Sequence, residues 1–218
     1  DDLYPICKTQ IDLSLGYVNE QGRLIEDESY PVFIDWSNEF DKTTAGQAIL
    51  IYALKQFLEL AKWKKDVEYD KYKKIMERMI CYSKKELFDT KRMLFLSGEK
   101  KEYNIASQVW MVLSKIMSDE ENYEIMKRTI EELFPVRGIA TPYMYHHVTE
   151  ALFAAGLKTE AITLMKDYWG KMIEMGADTY WEAFDPQFPD YSPYGDPIVS
   201  SYCHAWGCTP IYLVKKYL

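Results

Sequence analysis

Between Thr43 and Trp63 the sequence reads "TTAGQAILIYALKQFLELAKW", with apolar residues at positions 50, 51, 54, 57, 58 and 61. Spacing by three and four places these side chains on one face of a helix, and a stripe of that width has to be buried against another element. The stretch "EYDKYKKIMERMICYSKKELFD" repeats the pattern, with Tyr72, Ile75, Met76, Met79 and Ile80 on one side and Lys or Glu on the other. The short link between the two stretches predicts an antiparallel pair.

The same periodicity predicts helices over residues 104–117, 119–134, 142–155 and 158–175, and a final helix within 198–218 interrupted by Gly207 and Pro210. Helix punctuation agrees with these limits. Thr43 or Thr44 is placed as an N-cap, Pro142 falls in a first turn, acids follow Ser118, and Gly156 and Gly176 stand where helices should stop. "DTKRMLFLSGEKKEY" breaks the period and fits a short hairpin or an ordered loop, and residues 1–42 read as loop. The fold class expected is all-α, built from helical hairpins. "AAGLKTEAITLMKDYW" by itself would fit a tetratricopeptide unit, but the hairpins are unequal and no repeat of fixed length runs along the chain. A closed toroid of hairpins is therefore expected in preference to a solenoid.

The 218 residues fit one domain. A formal charge of −8 and the lack of a basic stripe argue against nucleic acid, and the apolar runs fall short of the roughly 20 residues that span a bilayer. Cys7, Cys81, Cys203 and Cys208 have no C-x-x-C spacing, so neither a zinc site nor a disulfide scaffold is expected. The opening "DDLYPIC", without an initiator Met or a signal peptide, reads as a processed product or a piece of something longer.

Chemistry is suggested by carboxylates beside aromatics. The chain has 18 Tyr and 6 Trp, many of them between the helical patterns, and aromatic side chains with polar handles suit a sugar- or peptide-binding groove. In "GADTYWEAFDP", Glu182 follows Trp181 and Tyr180 just beyond the expected helix stop. Aromatic walls would desolvate that carboxyl and raise its pKa, fitting it for general base or general acid work, although a satisfied loop acid looks the same in sequence. In "SYCHAWG", His204 could exchange a hydrogen bond with a ligand while Trp206 offers an apolar face; a core His and Trp is the alternative. His146 and His147 lie on a helix with Tyr143 and Glu150, and with no third ligand evident no metal site is expected there. Motifs for a serine nucleophile, a phosphate-cradling loop and a zinc hydrolase do not occur. Carboxylate chemistry beside aromatic platforms is the pattern of a glycoside hydrolase.

"TPYMYHHVTEALFAAG", "WGKMIEMGADTYWEAFDP" and "SYCHAWGCTPIYLV", in that order, resemble the C-terminal half of the catalytic domain of the α-L-rhamnosidases. "FIDWSNEFDKTTAGQAILIYALKQFLELA" resembles that family's middle segment. The resemblance implies an (α/α)6 toroid and inverting hydrolysis of terminal α-L-rhamnosides without a cofactor. It makes Glu182 the general base and His204 a contact to the bound sugar, with Trp36 near the sugar pocket and Trp181 flanking the base. It also implies a periplasmic or secreted protein. Nothing before Pro31 matches the acid-rich segment that carries the family's general acid, and the helices account for about half of the toroid. Residues 1–218 are thus expected to be a partial glycosidase-like domain, inactive alone, whose apolar faces are covered by the N-terminal half of the barrel or by a second copy. A non-catalytic carbohydrate-binding or helical scaffold protein is the alternative.

Overall fold

Helix α1, Leu3–Leu15, occupies a stretch whose sequence predicts loop, and the reason is that Ile11 is its one buried residue. No apolar stripe marks it. Polar side chains hold it instead: the Tyr4 hydroxyl donates to Asp66 (2.6 Å), Lys8 donates to Glu68 and Tyr72, and the Tyr72 hydroxyl donates to Asp12 (2.7 Å). The computed structural model describes residues 3–27, 31–37, 39–136, 138–139 and 141–218. It divides into two units, one formed by Asp1–Phe33 with Asp41–Ser118, the other by Ile34–Phe40 with Asp119–Leu218.

In the first unit, α2 (Thr43–Lys64) buries Leu50, Ile51, Leu54, Phe57, Leu58 and Ala61, the stripe read from the sequence. It packs against α1, against α3 (Tyr69–Tyr82) and against α4 (Ile105–Leu113). Its N-terminus is capped by neither threonine. Asp41 does that work, accepting from the Thr43 N–H (3.0 Å) and the Thr43 hydroxyl (2.5 Å), because a carboxylate reaches both donors at once. The expected hairpin is present as β1 (Phe88–Asp89) paired antiparallel with β2 (Leu94–Phe95). Gln108 of α4 extends it by accepting from the Phe95 N–H (2.7 Å) and donating to the Phe95 carbonyl (2.8 Å), as a further strand would. An apolar cleft of about 470 Å³ lies in this unit against Ile11, Leu24, Val32, Phe33, Ile49 and Leu50. None of the candidate site residues lines it.

The second unit contains α5 (Asp119–Leu133), α6 (Pro142–Ala154), α7 (Lys158–Met165), α8 (Lys171–Glu174) and α9 (Thr209–Tyr217). Thr141 caps α6 with Pro142 in the first turn, where the missing N–H costs nothing. Gly156, at φ +83°, turns the chain from α6 into α7, with its N–H bonded to Phe153 and that of Leu157 to Leu152. Gly176, at φ +96°, closes α8 in the same way. The helix expected over 158–175 is not regular: a π turn at Lys166–Gly170 separates α7 from α8 and brings the consecutive rings of Tyr168 and Trp169 both into the core. Tyr168 stacks on Tyr145 of α6 with ring centroids 3.6 Å apart.

The final helix also begins later than expected. Two 3-10 turns, Pro197–Val199 and Ala205–Gly207, precede α9, and Pro210 lies in its first turn and so starts the helix. Among the described residues, no helix is long and apolar enough to cross a membrane.

Candidate active site

Beyond Gly176 the chain leaves the helices and pairs with itself. The Glu182 N–H donates to the Ser201 carbonyl and the His204 N–H to the Tyr180 carbonyl, both at 2.8 Å, and the Thr179 hydroxyl donates to the Tyr202 carbonyl. Residues 179–182 therefore run antiparallel to 201–204, and the two motifs that are separate in sequence become neighbours. Gly207 permits the close fit: a Cβ there would stand 2.6 Å from the Tyr180 Cβ. Beneath it, the Trp169 indole N–H donates to the Gly207 carbonyl (3.0 Å).

This frame sets Glu182 from three sides. The Trp206 indole N–H donates to its backbone carbonyl (2.8 Å), the Ser201 N–H donates to Oε2 (2.7 Å), and the Tyr194 hydroxyl donates to Oε1 (2.5 Å). Burial pushes the Glu182 pKa up, but those two donors and the nearby His204 together outweigh it and hold the carboxyl below its ordinary value. The aromatic neighbours of Glu182 in the sequence predict instead that desolvation dominates. It does not, because the carboxylate is half-buried and both of its oxygens are hydrogen-bonded. A carboxyl held in this way is ionised at neutral pH and suited to accept a proton.

His204 caps the 3-10 turn at Ala205–Gly207, its Nδ1 accepting from the Trp206 N–H (3.3 Å). In the neutral ring the hydrogen then belongs on Nε2, which is left as a donor. Its ring lies 4.4 Å from that of Trp206, and Trp206 in turn lies 6.2 Å from Tyr143 of α6. Trp181 meets Phe184 and Tyr202 edge-on, at 5.7 and 5.3 Å. Trp36 arrives from the short segment Ile34–Phe40 of the same unit, and its ring meets Tyr194 edge-on at 5.7 Å. The residue before it, Asp35, is buried, accepting from the Trp36 N–H (2.7 Å) and from the Thr141 N–H (3.3 Å) at the start of α6.

The structure thus gathers Trp36, Trp181, Glu182 and His204 in one unit, and Tyr194 touches both Trp36 and Glu182. No sequence motif singles out Tyr194 or Ser201. Tyr194 is one of many tyrosines, and its only signal was its place in an aromatic, proline-rich loop; Ser201 acts through its backbone, which side-chain motifs do not record.

The histidine pair has more company than the sequence reading allowed. Ligand atoms of His146, His147 and Glu150 lie within 4.8 Å of one another, so Glu150 supplies the third group. Two donors on one tetrahedral zinc stand only about 3.4 Å apart, given bonds near 2.1 Å. Moreover, a cation is already seated there: Lys216 of α9 donates to Glu150 Oε1 at 2.7 Å, and the Tyr217 hydroxyl donates to the same oxygen at 3.2 Å. The group clamps α9 to α6. Burial and the neighbouring His146 push the His147 pKa down to about 3, so its ring is neutral.

The defining pattern of the bacterial alpha-L-rhamnosidase six-hairpin glycosidase domain matches residues 2–218. The chain belongs to this family. Among solved structures, this chain is similar to a rhamnosidase from Klebsiella oxytoca with rhamnose bound, at 35% identity and a TM-score of 0.92 over 99% of the chain. A GH78 family rhamnosidase of Bacillus sp. GL1 shares the fold at 21% identity and a TM-score of 0.78, again over 99%. The chain spans 42% of the first of these proteins and 23% of the second, less than half of either. No curated protein matches it. Its all-α hairpins are those of the rhamnosidase domain.

Proposed function

We propose that the chain is the C-terminal part of the catalytic domain of an inverting glycoside hydrolase that acts on terminal α-L-rhamnosides, with Glu182 as the general base. The observation that carries this reading is the state of Glu182, a half-buried carboxylate kept ionised by Tyr194, Ser201 and His204 on a frame that fixes its backbone. Family membership and the likeness to a rhamnosidase that holds rhamnose support the substrate class.

In the proposed step a water held by Glu182 attacks the anomeric carbon on the face opposite the leaving group, and its proton passes to the carboxylate. A carboxylic acid about 6.5–9.5 Å away protonates the glycosidic oxygen as that bond breaks, and the configuration inverts. We assign that acid to a part of the protein outside these 218 residues, together with the rest of the barrel. His204 donates to a sugar hydroxyl, and Trp36 and Trp181 provide apolar walls.

Glu182→Gln in the full-length protein tests the reading, because the amide keeps the shape and removes the proton acceptor. Turnover of an aryl α-L-rhamnoside should fall by roughly 10²–10⁴-fold while rhamnose binding stays within a few-fold. Wild-type rates from the variant remove Glu182 from the mechanism. A wild-type protein that binds rhamnose without turning over rhamnosides leaves a carbohydrate-binding scaffold.

A further inference from the structure

The loop that follows Glu182 returns to it twice. Ser192 is buried, its Oγ lies 2.9 Å from that of Ser200, and it accepts from the Tyr194 N–H (3.1 Å). The Gly195 N–H donates to the Ser192 carbonyl, and Gly195 takes φ +89°, which makes Ser192–Gly195 a tight turn. Tyr194 stands on this turn and Ser201 directly follows Ser200, so a single tied loop delivers one donor to each oxygen of Glu182. The Tyr194 ring meets that of Trp36 edge-on at 5.7 Å, and Trp36 also bears on the Tyr194 hydroxyl.

We infer that Tyr194 is a positioning residue for Glu182: its hydroxyl fixes the orientation of the carboxylate, so that the remaining lone pairs face a water. This rests on the reading of Glu182 as the base. Each carboxylate oxygen has two lone-pair sites and spends one on its loop donor, which leaves one on each for a proton. A hydroxyl bonded to the anion weakens the base slightly, and against that stands its geometric effect. An unrestrained carboxylate rotates about its last bond, and misplacement of a reacting group by about 1 Å can cost on the order of 10²-fold in rate. Ser201 alone would fix one oxygen and leave that rotation open. The phenol closes it, and because Tyr194 is itself exposed, its ring is not needed to complete a core.

The test compares wild type, Tyr194→Phe and Glu182→Gln in the full-length protein, measuring kcat and KM on an aryl α-L-rhamnoside across pH. Phenylalanine keeps the ring edge-on to Trp36 and removes the hydroxyl, with its contacts to Glu182 and Trp36. With the carboxylate free to rotate out of line, kcat should fall about 10- to 100-fold with KM within about threefold. The acid limb of kcat/KM should move to higher pH, since the carboxylate has lost a donor. A residue that merely packs the loop would leave that limb in place. Wild-type kcat and an unmoved acid limb in Tyr194→Phe, with Glu182→Gln inactive, overturn the role of Tyr194 and spare the base. A change in KM alone makes Tyr194 a sugar contact and also overturns it. Wild-type turnover by Glu182→Gln, or no turnover by the wild type, defeats the reading on which both residues rest.

Discussion

The indole N–H of Trp206 donates to the backbone carbonyl of Glu182 at 2.8 Å, so the fourth residue of the C-H-A-W motif holds the main chain of the W-E motif. This bond sets where the Glu182 side chain departs from the backbone. Two sequence motifs that would pass for independent sugar contacts are in fact coupled.

Trp206→Phe tests the coupling. The ring that lies against His204 and Tyr143 is largely kept, while the donor to Glu182 is lost. A half-buried carbonyl without its partner costs about 1–3 kcal/mol. The expected result is a melting transition lower by several degrees and kcat lower by about tenfold, read by calorimetry and by rhamnoside turnover. An unchanged kcat in a destabilised variant would separate the bond from the chemistry.

Gly207→Ala should be far more damaging than its chemistry suggests. The added methyl would stand 2.6 Å from the Tyr180 Cβ and 3.2 Å from the Trp181 carbonyl, so the paired segments have to part. Overpacking of this kind costs about 1–3 kcal/mol. Gly170→Ala is the control, because its Cβ meets nothing within 4 Å and its φ of −63° suits any residue. That control should be neutral or slightly stabilising, by up to about 1 kcal/mol. Equal melting temperatures for the two variants would contradict the close approach.

What could be read from the sequence was local. Pro142, Gly156 and Gly176 mark helix ends through their own backbone chemistry, and the stripe from Leu50 to Ala61 is buried as its spacing requires. Helix α1 could not be read, because Tyr4, Lys8 and Asp12 are held by Asp66, Glu68 and Tyr72, about 60 residues away, and polar partners leave no period. At the candidate site, Glu182 and His204 stood out by their aromatic neighbours. The pairing of 179–182 with 201–204 is carried by backbone bonds that any residue could make, and the direction of the Glu182 shift depends on Tyr194, twelve residues further on.

Asp35→Asn tests how Trp36 is aimed. The buried carboxylate accepts one backbone N–H from Trp36 and another from Thr141. An amide keeps one acceptor oxygen and turns a second N–H donor toward the other partner, so one bond becomes a clash of donors. A loss of about 1–3 kcal/mol in stability is expected. Rhamnose affinity should weaken as Trp36 shifts, with a smaller fall in kcat passed on through Tyr194, because Ser201 and Trp206 still hold Glu182. A fall in kcat at constant KM would place Asp35 in the chemistry instead of behind the sugar wall.

Acid should destabilise the surroundings of α6 in two stages. His147 has its pKa pushed down to about 3 by burial and by His146, so below pH 6.5 the unfolded chain takes up a proton that the folded one refuses, and stability falls as pH drops. Glu150 is also depressed, to about 2: burial pushes it up, but His146 and Lys216 outweigh that. Its contribution is whole above its unfolded value of 4.5 and is lost as pH falls from there toward 2. Between pH 6.5 and 4.5 only the histidine acts, with a ceiling of about 1.4 kcal/mol per pH unit, and less is expected because its ring is only half-buried. Below pH 4.5 the carboxylate adds its share, reduced by the exposure of Lys216. Melting temperatures of the full-length protein from pH 7 to 3 should therefore decline in both windows. His147→Gln should flatten the upper window and lessen the slope of the lower one, whereas Glu150→Gln should lessen the slope only below pH 4.5. A wild-type slope between pH 6.5 and 4.5 that survives His147→Gln would mean that another group refuses the proton.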